Sequence, residues 1–218
     1  MVARSAAWLA FMIGLVAGGE VDDLVSLAIG AAIGAVLVLA GFAAASRTRT
    51  LSRDVGSRRA RVAVLALAAG TGLGLANLAA NWTIANAHPA LRELLVQRFT
   101  TMDPWVAVVS APLVEEITVR LFVMSAIAWI ASRITDNPSA IFVTALLGSS
   151  LVFALLHLGR TFPGDPALVN YYRGALLTKY TLAGLPMGWL FWRRGLPYAI
   201  LCHAIVNLTH LIVQRFVF

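Results

Sequence analysis

Two adjacent carboxylates and an arginine interrupt an apolar run of the chain. Glu115, Glu116 and Arg120 stand in "LVEEITVR", between the apolar stretches "PWVAVVSAPL" and "LFVMSAIAWI". Glu116 and Arg120 are four residues apart, so on a helix they share one face and can form an ion pair. Glu115 points about 100° away from Glu116 around the helix, so Arg120 cannot easily serve both carboxylates. Glu115 therefore needs another partner and is the better candidate for chemistry.

His157 is the candidate partner of Glu115. It follows "LVFALL" at the end of an apolar segment, four residues after Phe153 and on the same helical face. The segments that carry Glu115 and His157 are consecutive, so as antiparallel helices they bring the two residues to similar depth. A lone histidine at a helix end is more often a capping or interfacial residue. Opposite an intramembrane carboxylate the balance reverses, because each group stabilises the charged form of the other.

A polar stripe runs along the last apolar segment, "LPYAILCHAIVNLTH". His203, Asn207 and His210 fall at positions i, i+4 and i+7, which is one face of a helix. Alone, such a stripe is typical of hydrogen bonds that hold helices together. Combined with Glu115 and His157, it predicts a polar site built from three helices. Cys202 points about 100° away from His203, so we interpret it as a packing residue.

A carboxylate and a histidine in a dry site can hold a water molecule and deprotonate it, which is general-base catalysis on a carbonyl. A histidine and an asparagine on a facing helix can donate hydrogen bonds to the resulting oxyanion. The chain has no GxSxG serine and no HExxH pair. This pattern favours water-mediated peptide hydrolysis over acyl-enzyme chemistry. The same glutamate and histidines could instead ligate zinc, and the residues leave both mechanisms open.

The elements that must position these residues are transmembrane helices. Hydrophobic residues make up 60% of the 218-residue chain and charged residues only 12%, and the apolar residues come in blocks near the ~20 that cross a bilayer. The composition therefore predicts an all-α, polytopic membrane helical bundle of seven or eight transmembrane helices. The seven spans that we count are about 4–19, 24–46, 62–86, 104–132, 139–159, 175–193 and 197–215.

Three local features of these spans carry expectations. Pro104 and Pro112 predict a kink or a broken turn before Glu115. Lys179, one turn into the sixth span, is expected to extend to the membrane interface. The span limits place His203 about 10 Å from the inner end of its helix and His157 near an outer end. Convergence of the two histidines therefore requires deeper-lying helices or a recessed "RRGLP" turn.

The whole chain, 1–218, is predicted to be a single integral-membrane domain. Its motifs lie in a core of about 104–215, and the N-terminal helices, 1–86, carry none. Six of the seventeen basic residues lie between Arg47 and Arg61 and contribute much of the net charge of +7. We interpret this segment as a cytoplasmic loop near anionic lipid rather than as a nucleic-acid site. This orientation also places the N-terminus in the cytoplasm. The Ala/Arg-rich, Lys-poor composition favours a prokaryotic plasma (inner) membrane.

Three motifs in order carry a resemblance to a known family. "EEITVR" resembles EExxxR, "FALLH" resembles FxxxH and "HAIVN" resembles HxxxN, each in its own apolar helix across residues 112–210. The chain resembles the CPBP family of intramembrane proteases, which includes the CAAX-processing endopeptidase Rce1 and bacteriocin-processing or self-immunity proteins. Each motif is weak alone, but three in order at compatible membrane positions are specific.

The resemblance implies a site made of the residues that match these motifs. They are Glu115, Glu116, Arg120, Phe153, His157, His203 and Asn207. Glu115 would be the base that activates water, with His157 as its partner. His203 and Asn207 would lie on the oxyanion side, and the other three residues would support the site. The resemblance also implies a metal-independent, glutamate-dependent endopeptidase without a cofactor, zinc being the alternative.

The expected partners are the lipid bilayer and a membrane-anchored protein or peptide substrate, such as a C-terminal sorting segment, a lipidated peptide or a leader peptide. A non-enzymatic function is the competing hypothesis. Intramembrane glutamates and histidines also mark proton or ion relays, although no broken helices appear in paired halves of this chain. A catalytically idle immunity factor that keeps the motifs is a further alternative.

Overall fold

The computed structural model describes Val36 and residues 39–46, 59–158 and 165–217. These parts of the chain are helices joined by short turns and contain no strand, which confirms the all-α prediction. The first predicted span (4–19), most of the second (24–46) and the Arg-rich loop as far as residue 58 lie outside the described residues.

Six helices follow one another from residue 59 onward. They are α1 (Arg59–Ala87), α2 (Pro89–Thr100), α3 (residues 106–131), α4 (Pro138–Leu156), α5 (Pro166–Arg194) and α6 (Leu196–Val217). Among the described residues, three helices are long and apolar enough to cross a membrane, namely α1, α4 and Leu196–Phe216 of α6. The count of seven or eight transmembrane helices stays a prediction.

Asparagine and aspartate caps followed by proline set the starts of α4 and α5. Asn137 accepts hydrogen bonds from the first backbone N–H groups of α4, and Asp165 does the same for α5. Pro138 and Pro166 follow directly, at a position where a helix needs no N–H donor. The caps fix where each helix begins, and hence the face on which its later polar residues emerge.

Helix α3 is continuous but changes its winding on both sides of Glu115 and Glu116. Its four contiguous segments are Val106–Ser110 (π), Ala111–Glu116 (α), Ile117–Met124 (π) and Ser125–Ala131 (α). Of the predicted kink or broken turn before Glu115, the broken turn was wrong, because the helix runs through Pro112, and the kink stays a prediction. A wider π turn directly precedes that proline and accommodates its missing N–H without interrupting the helix.

Helices α1 and α6 approach each other closely along small residues of α1. A Cβ atom added at Gly70 would lie 2.6 Å from the Cys202 carbonyl oxygen, and one at Gly74 would lie 2.7 Å from Thr209 Cβ. The four-residue spacing of Gly70 and Gly74 thus allows the two helices to pack closely. Cys202 is fully buried in the adjoining core, in agreement with its predicted packing role.

This close approach predicts a position-specific effect of added methyl groups. We expect Gly70→Ala to lower stability by about 1–3 kcal/mol, because the methyl group would overlap the α6 backbone. The matched control is Gly72→Ala two residues away, where an added Cβ meets nothing within 4 Å. Denaturation midpoints of the two variants in detergent micelles test this, and equal midpoints would contradict the described packing.

Candidate active site

The Glu115 carboxylate lies between two imidazole rings from two other helices. Its Oε2 atom is 3.8 Å from His157 Nε2, at the end of α4, and 3.8 Å from His203 Nε2, on α6. All three side chains, together with Asn207, line one cavity of about 160 Å³. The structure therefore brings together the four residues that the sequence proposes for chemistry.

The two histidines contact the same carboxylate, although the transmembrane spans predicted from the sequence place them at different depths in the membrane. Helix α6 begins after a turn at Gly195, whose φ of 98° is in the left-handed region that glycine tolerates. Three residues before this turn, the Trp192 ring packs on Phe142, inside α4, with centroids 5.1 Å apart. The residues before the turn therefore pack against the N-terminal end of α4, and a recessed turn stays a prediction.

Glu116 and Arg120 form the predicted ion pair, and both side chains are fully buried. Arg120 Nε donates to Glu116 Oε2 at 3.0 Å. The second oxygen, Glu116 Oε1, lies 2.9 Å from His203 Nδ1, a contact that the motifs did not indicate. Glu116 therefore connects the arginine to the histidine that faces Glu115.

The Phe153 ring lies at the centre of this network and is almost fully buried. It meets the His157 ring edge-on with centroids 4.7 Å apart and the His203 ring with centroids 5.7 Å apart. Arg120 Cζ lies 5.2 Å from the Phe153 centroid, close enough for a cation–π contact. One aromatic side chain therefore holds both histidines and covers the buried guanidinium.

Hydrogen bonds determine which ring nitrogens of the histidines face Glu115. His157 Nδ1 lies 2.8 Å from the Phe153 carbonyl oxygen, an acceptor, so Nδ1 carries the proton. His203 Nδ1 faces the Glu116 carboxylate and is likewise the donor. In neutral histidines both Nε2 atoms are then acceptors, as is Glu115. Three acceptors that converge on one point require a shared proton or a hydrogen-bond donor such as water between them.

Asn207 donates a hydrogen bond to a backbone carbonyl of α3 that has lost its usual partner within the helix. In the π turn, the N–H of Ala111 bonds to the carbonyl of Val106, five residues earlier. The next such bond would join Pro112 to Ala107, but proline has no N–H. Asn207 Nδ2 donates to the Ala107 oxygen instead, at 2.7 Å. This bond fixes the Asn207 amide at the cavity wall and leaves it one further N–H donor.

A second polar cluster in the same cavity joins Lys179 and His210 through Asn81, a residue that the motifs did not indicate. Lys179 was expected to extend to the interface, and this was wrong, because its Nζ lines the cavity and donates to Asn81 Oδ1 at 2.8 Å. Asn81 Nδ2 in turn lies 2.8 Å from His210 Nε2. Asn81 is on α1, which carries no motif, so only the packing of α1 on α6 reveals it.

Glu115, His157 and His203 offer ligand types that zinc accepts. Within the parts of the chain that the structure describes, no three His, Cys, Asp or Glu side chains are grouped so that they could hold a metal ion. His203 Nδ1 is hydrogen-bonded to Glu116, and its Nε2 lies as far from Glu115 as that of His157 does.

A scan against protein families matches residues 97–209 to the description "Type II CAAX prenyl endopeptidase Rce1-like". The match covers more than half of the chain and includes every residue of the cluster around Glu115. The chain belongs to the Rce1-like family. A search of curated proteins and a search of solved structures each gave no match.

Membership of the Rce1-like family confirms the resemblance seen in the three motifs. It is a family of proteases, whose members act on membrane-anchored protein substrates. Together with the long apolar helices, membership identifies this Rce1-like chain as an integral membrane protein. Helix α1 lies outside the matched residues, although it contributes Asn81 to the cavity.

Proposed function

We propose that this protein is an intramembrane endopeptidase that hydrolyses a peptide bond of a membrane-anchored protein or peptide. A water molecule activated by Glu115 and His157 is the nucleophile. The observation that carries the proposal is the Glu115 carboxylate held between His157 Nε2 and His203 Nε2, at 3.8 Å from each, on the wall of a cavity.

The convergence of acceptors suits the orientation of a water molecule. Water can donate one hydrogen to Glu115 and the other to His157 Nε2, which directs an oxygen lone pair toward the scissile carbonyl carbon. As the water oxygen bonds to that carbon, Glu115 takes the proton. The carbon–nitrogen bond then breaks, and the proton passes to the departing amine nitrogen. The products are a new carboxyl group and a new amine, and no acyl-enzyme forms.

Asn207 and His203 are proposed to stabilise the oxyanion. The Asn207 amide has one N–H left after its bond to the Ala107 carbonyl. His203 donates from Nε2 only as an imidazolium, because its Nδ1 proton is directed at Glu116. Glu116, held by Arg120, is proposed to act by orienting the His203 ring through its contact with Nδ1.

We propose a prokaryotic plasma membrane with the N-terminus and the Arg47–Arg61 loop in the cytoplasm, as the distribution of basic residues suggests. The candidate substrates are a lipidated peptide, a C-terminal sorting segment or a leader peptide.

Reconstitution tests the function and its metal independence together. Purified protein in liposomes is incubated with a farnesyl-cysteine peptide that has a short apolar C-terminal tail, or with a peptide fused to an apolar anchor. We expect cleavage in which isotopically labelled water delivers its oxygen to the new carboxyl group, at a rate that a zinc chelator does not change. Activity lost with the chelator and restored by zinc would overturn the glutamate mechanism.

A further inference from the structure

Two cations line the same cavity as Glu115 and have no part in the proposed water activation. They are Arg98, on α2, and Lys179, on α5. Lys179 is the only lysine among the seventeen basic residues of the chain. A charge facing a cavity inside a membrane protein is costly, and such charges usually serve a substrate or ion.

The hydrogen-bond donors of both cations are only partly used. Lys179 has three N–H donors and bonds to Asn81 Oδ1. Arg98 Nη2 lies 3.5 Å from the Tyr180 hydroxyl oxygen, Tyr172 is a second hydrogen-bond partner, and the buried Nε atom has no partner.

Tyr180 connects the two cations to the residues proposed for catalysis. Its ring stacks on the His157 ring, with centroids 3.9 Å apart and planes 24° apart. Lys179 Nζ lies 4.4 Å from the centre of the Tyr180 ring, and Arg98 approaches its hydroxyl group. A group bound by both cations would therefore lie one aromatic ring away from His157, inside the reach of a short peptide.

Unpartnered amide oxygens on the same wall indicate a peptide rather than a lipid phosphate. Asn77 Oδ1 and Gln214 Oε1 are buried without a hydrogen-bond partner, and both residues line the cavity. Such oxygens accept hydrogen bonds from backbone N–H groups, which a peptide has and a phosphate lacks. Donors for an anion and acceptors for amide N–H groups thus line one cavity.

We propose that Arg98 and Lys179 bind a carboxylate of the peptide substrate and so select which peptides reach Glu115. The proposal rests on the proposed endopeptidase function and adds two specificity-determining residues to it. The carboxylate is either the C-terminal one of the peptide or that of an Asp or Glu side chain. A guanidinium and an ammonium together supply the charge-assisted hydrogen bonds that either source needs.

Binding, measured without turnover, tests this subsite. Full-length protein carrying Glu115→Gln is placed in nanodiscs, and fluorescent farnesyl-cysteine peptides are titrated in three forms: a C-terminal acid, a neutral C-terminal amide, and an amide with an internal Glu. We expect at least one carboxylate form to bind roughly 10- to 100-fold more tightly than the neutral amide. Which form binds more tightly identifies the source of the carboxylate.

Further variants assign the preference to the two cations. Arg98→Gln and Lys179→Gln should each reduce the ratio of acid to amide affinity toward one, whereas Lys179→Arg should retain much of it. The matched controls are Arg92→Gln on α2 and Arg173→Gln on α5, both exposed arginines, which should leave the ratio unchanged. The ratio is internal to each variant, so a loss of folded protein does not imitate the effect.

The proposal would be overturned if the Glu115→Gln protein bound all three peptide forms with equal affinity. That result would need no variant of Arg98 or Lys179. A ratio that survives both Gln substitutions would overturn it as well. Failure of the proposed function has a different signature, because wild-type protein would then cleave none of the peptides even if the carboxylate preference in binding remained.

Discussion

Glu115→Gln should lower kcat for peptide cleavage by roughly 10²- to 10⁴-fold, the usual contribution of a general base. The amide has nearly the shape of the carboxylate but cannot take a proton from water. The Glu115 side chain is 32% exposed to the cavity, so the loss of its charge should change stability little. Rates in proteoliposomes and denaturation midpoints, measured on the same preparations, test both statements.

Glu93→Gln is the matched control for this substitution. Glu93 is an exposed carboxylate on α2 and does not line the cavity. The control should cleave at the wild-type rate, which separates the effect at Glu115 from a general loss of negative charge. Unchanged cleavage in Glu115→Gln would exclude Glu115 as the base.

Arg120→Met should destabilise the protein by about 3–5 kcal/mol, because it leaves the buried Glu116 carboxylate without its cation. Both side chains of this ion pair have zero exposure, so water cannot replace the lost partner. In the double variant Glu116→Gln/Arg120→Met much of this loss should be recovered, because the uncompensated charge is gone and the Gln oxygen can still accept from His203. Denaturation midpoints of the two single variants and the double variant form the double-mutant cycle.

Arg215→Met on the exposed side of α6 controls for the loss of an arginine and should change stability by less than about 0.5 kcal/mol. If Arg120→Met were as stable as this control, the burial of the Glu116–Arg120 ion pair would be contradicted. The recovered double variant should still cleave slowly, since a neutral Gln cannot offer His203 Nδ1 the charge-assisted hydrogen bond that the Glu116 carboxylate does. The double variant would therefore recover stability without recovering activity.

Local spacing determined the parts of the site that lie within single helices. The pairing of Glu116 with Arg120 follows from a separation of four residues, and so does the placement of Phe153 beneath His157. The apolar runs determined the helical class because a backbone in lipid must satisfy its own hydrogen bonds. The family, too, was evident in the three motifs, each of which is contained in one helix.

Apart from the approach of Glu115 to His157, which the order of the helices predicted, the contacts between helices named below were decided by the tertiary structure. The depth at which His157 and His203 meet depends on how α6 packs, and hydropathy limits helix ends only to within a few residues. The contact of His203 with Glu116 joins residues 87 positions apart, and the bond of Lys179 to Asn81 spans 98. Hydropathy assigns Lys179 to an interface because it treats a charge as if lipid were its only neighbour. The packing of α1 beside α5 and α6 instead gives that charge a polar cavity.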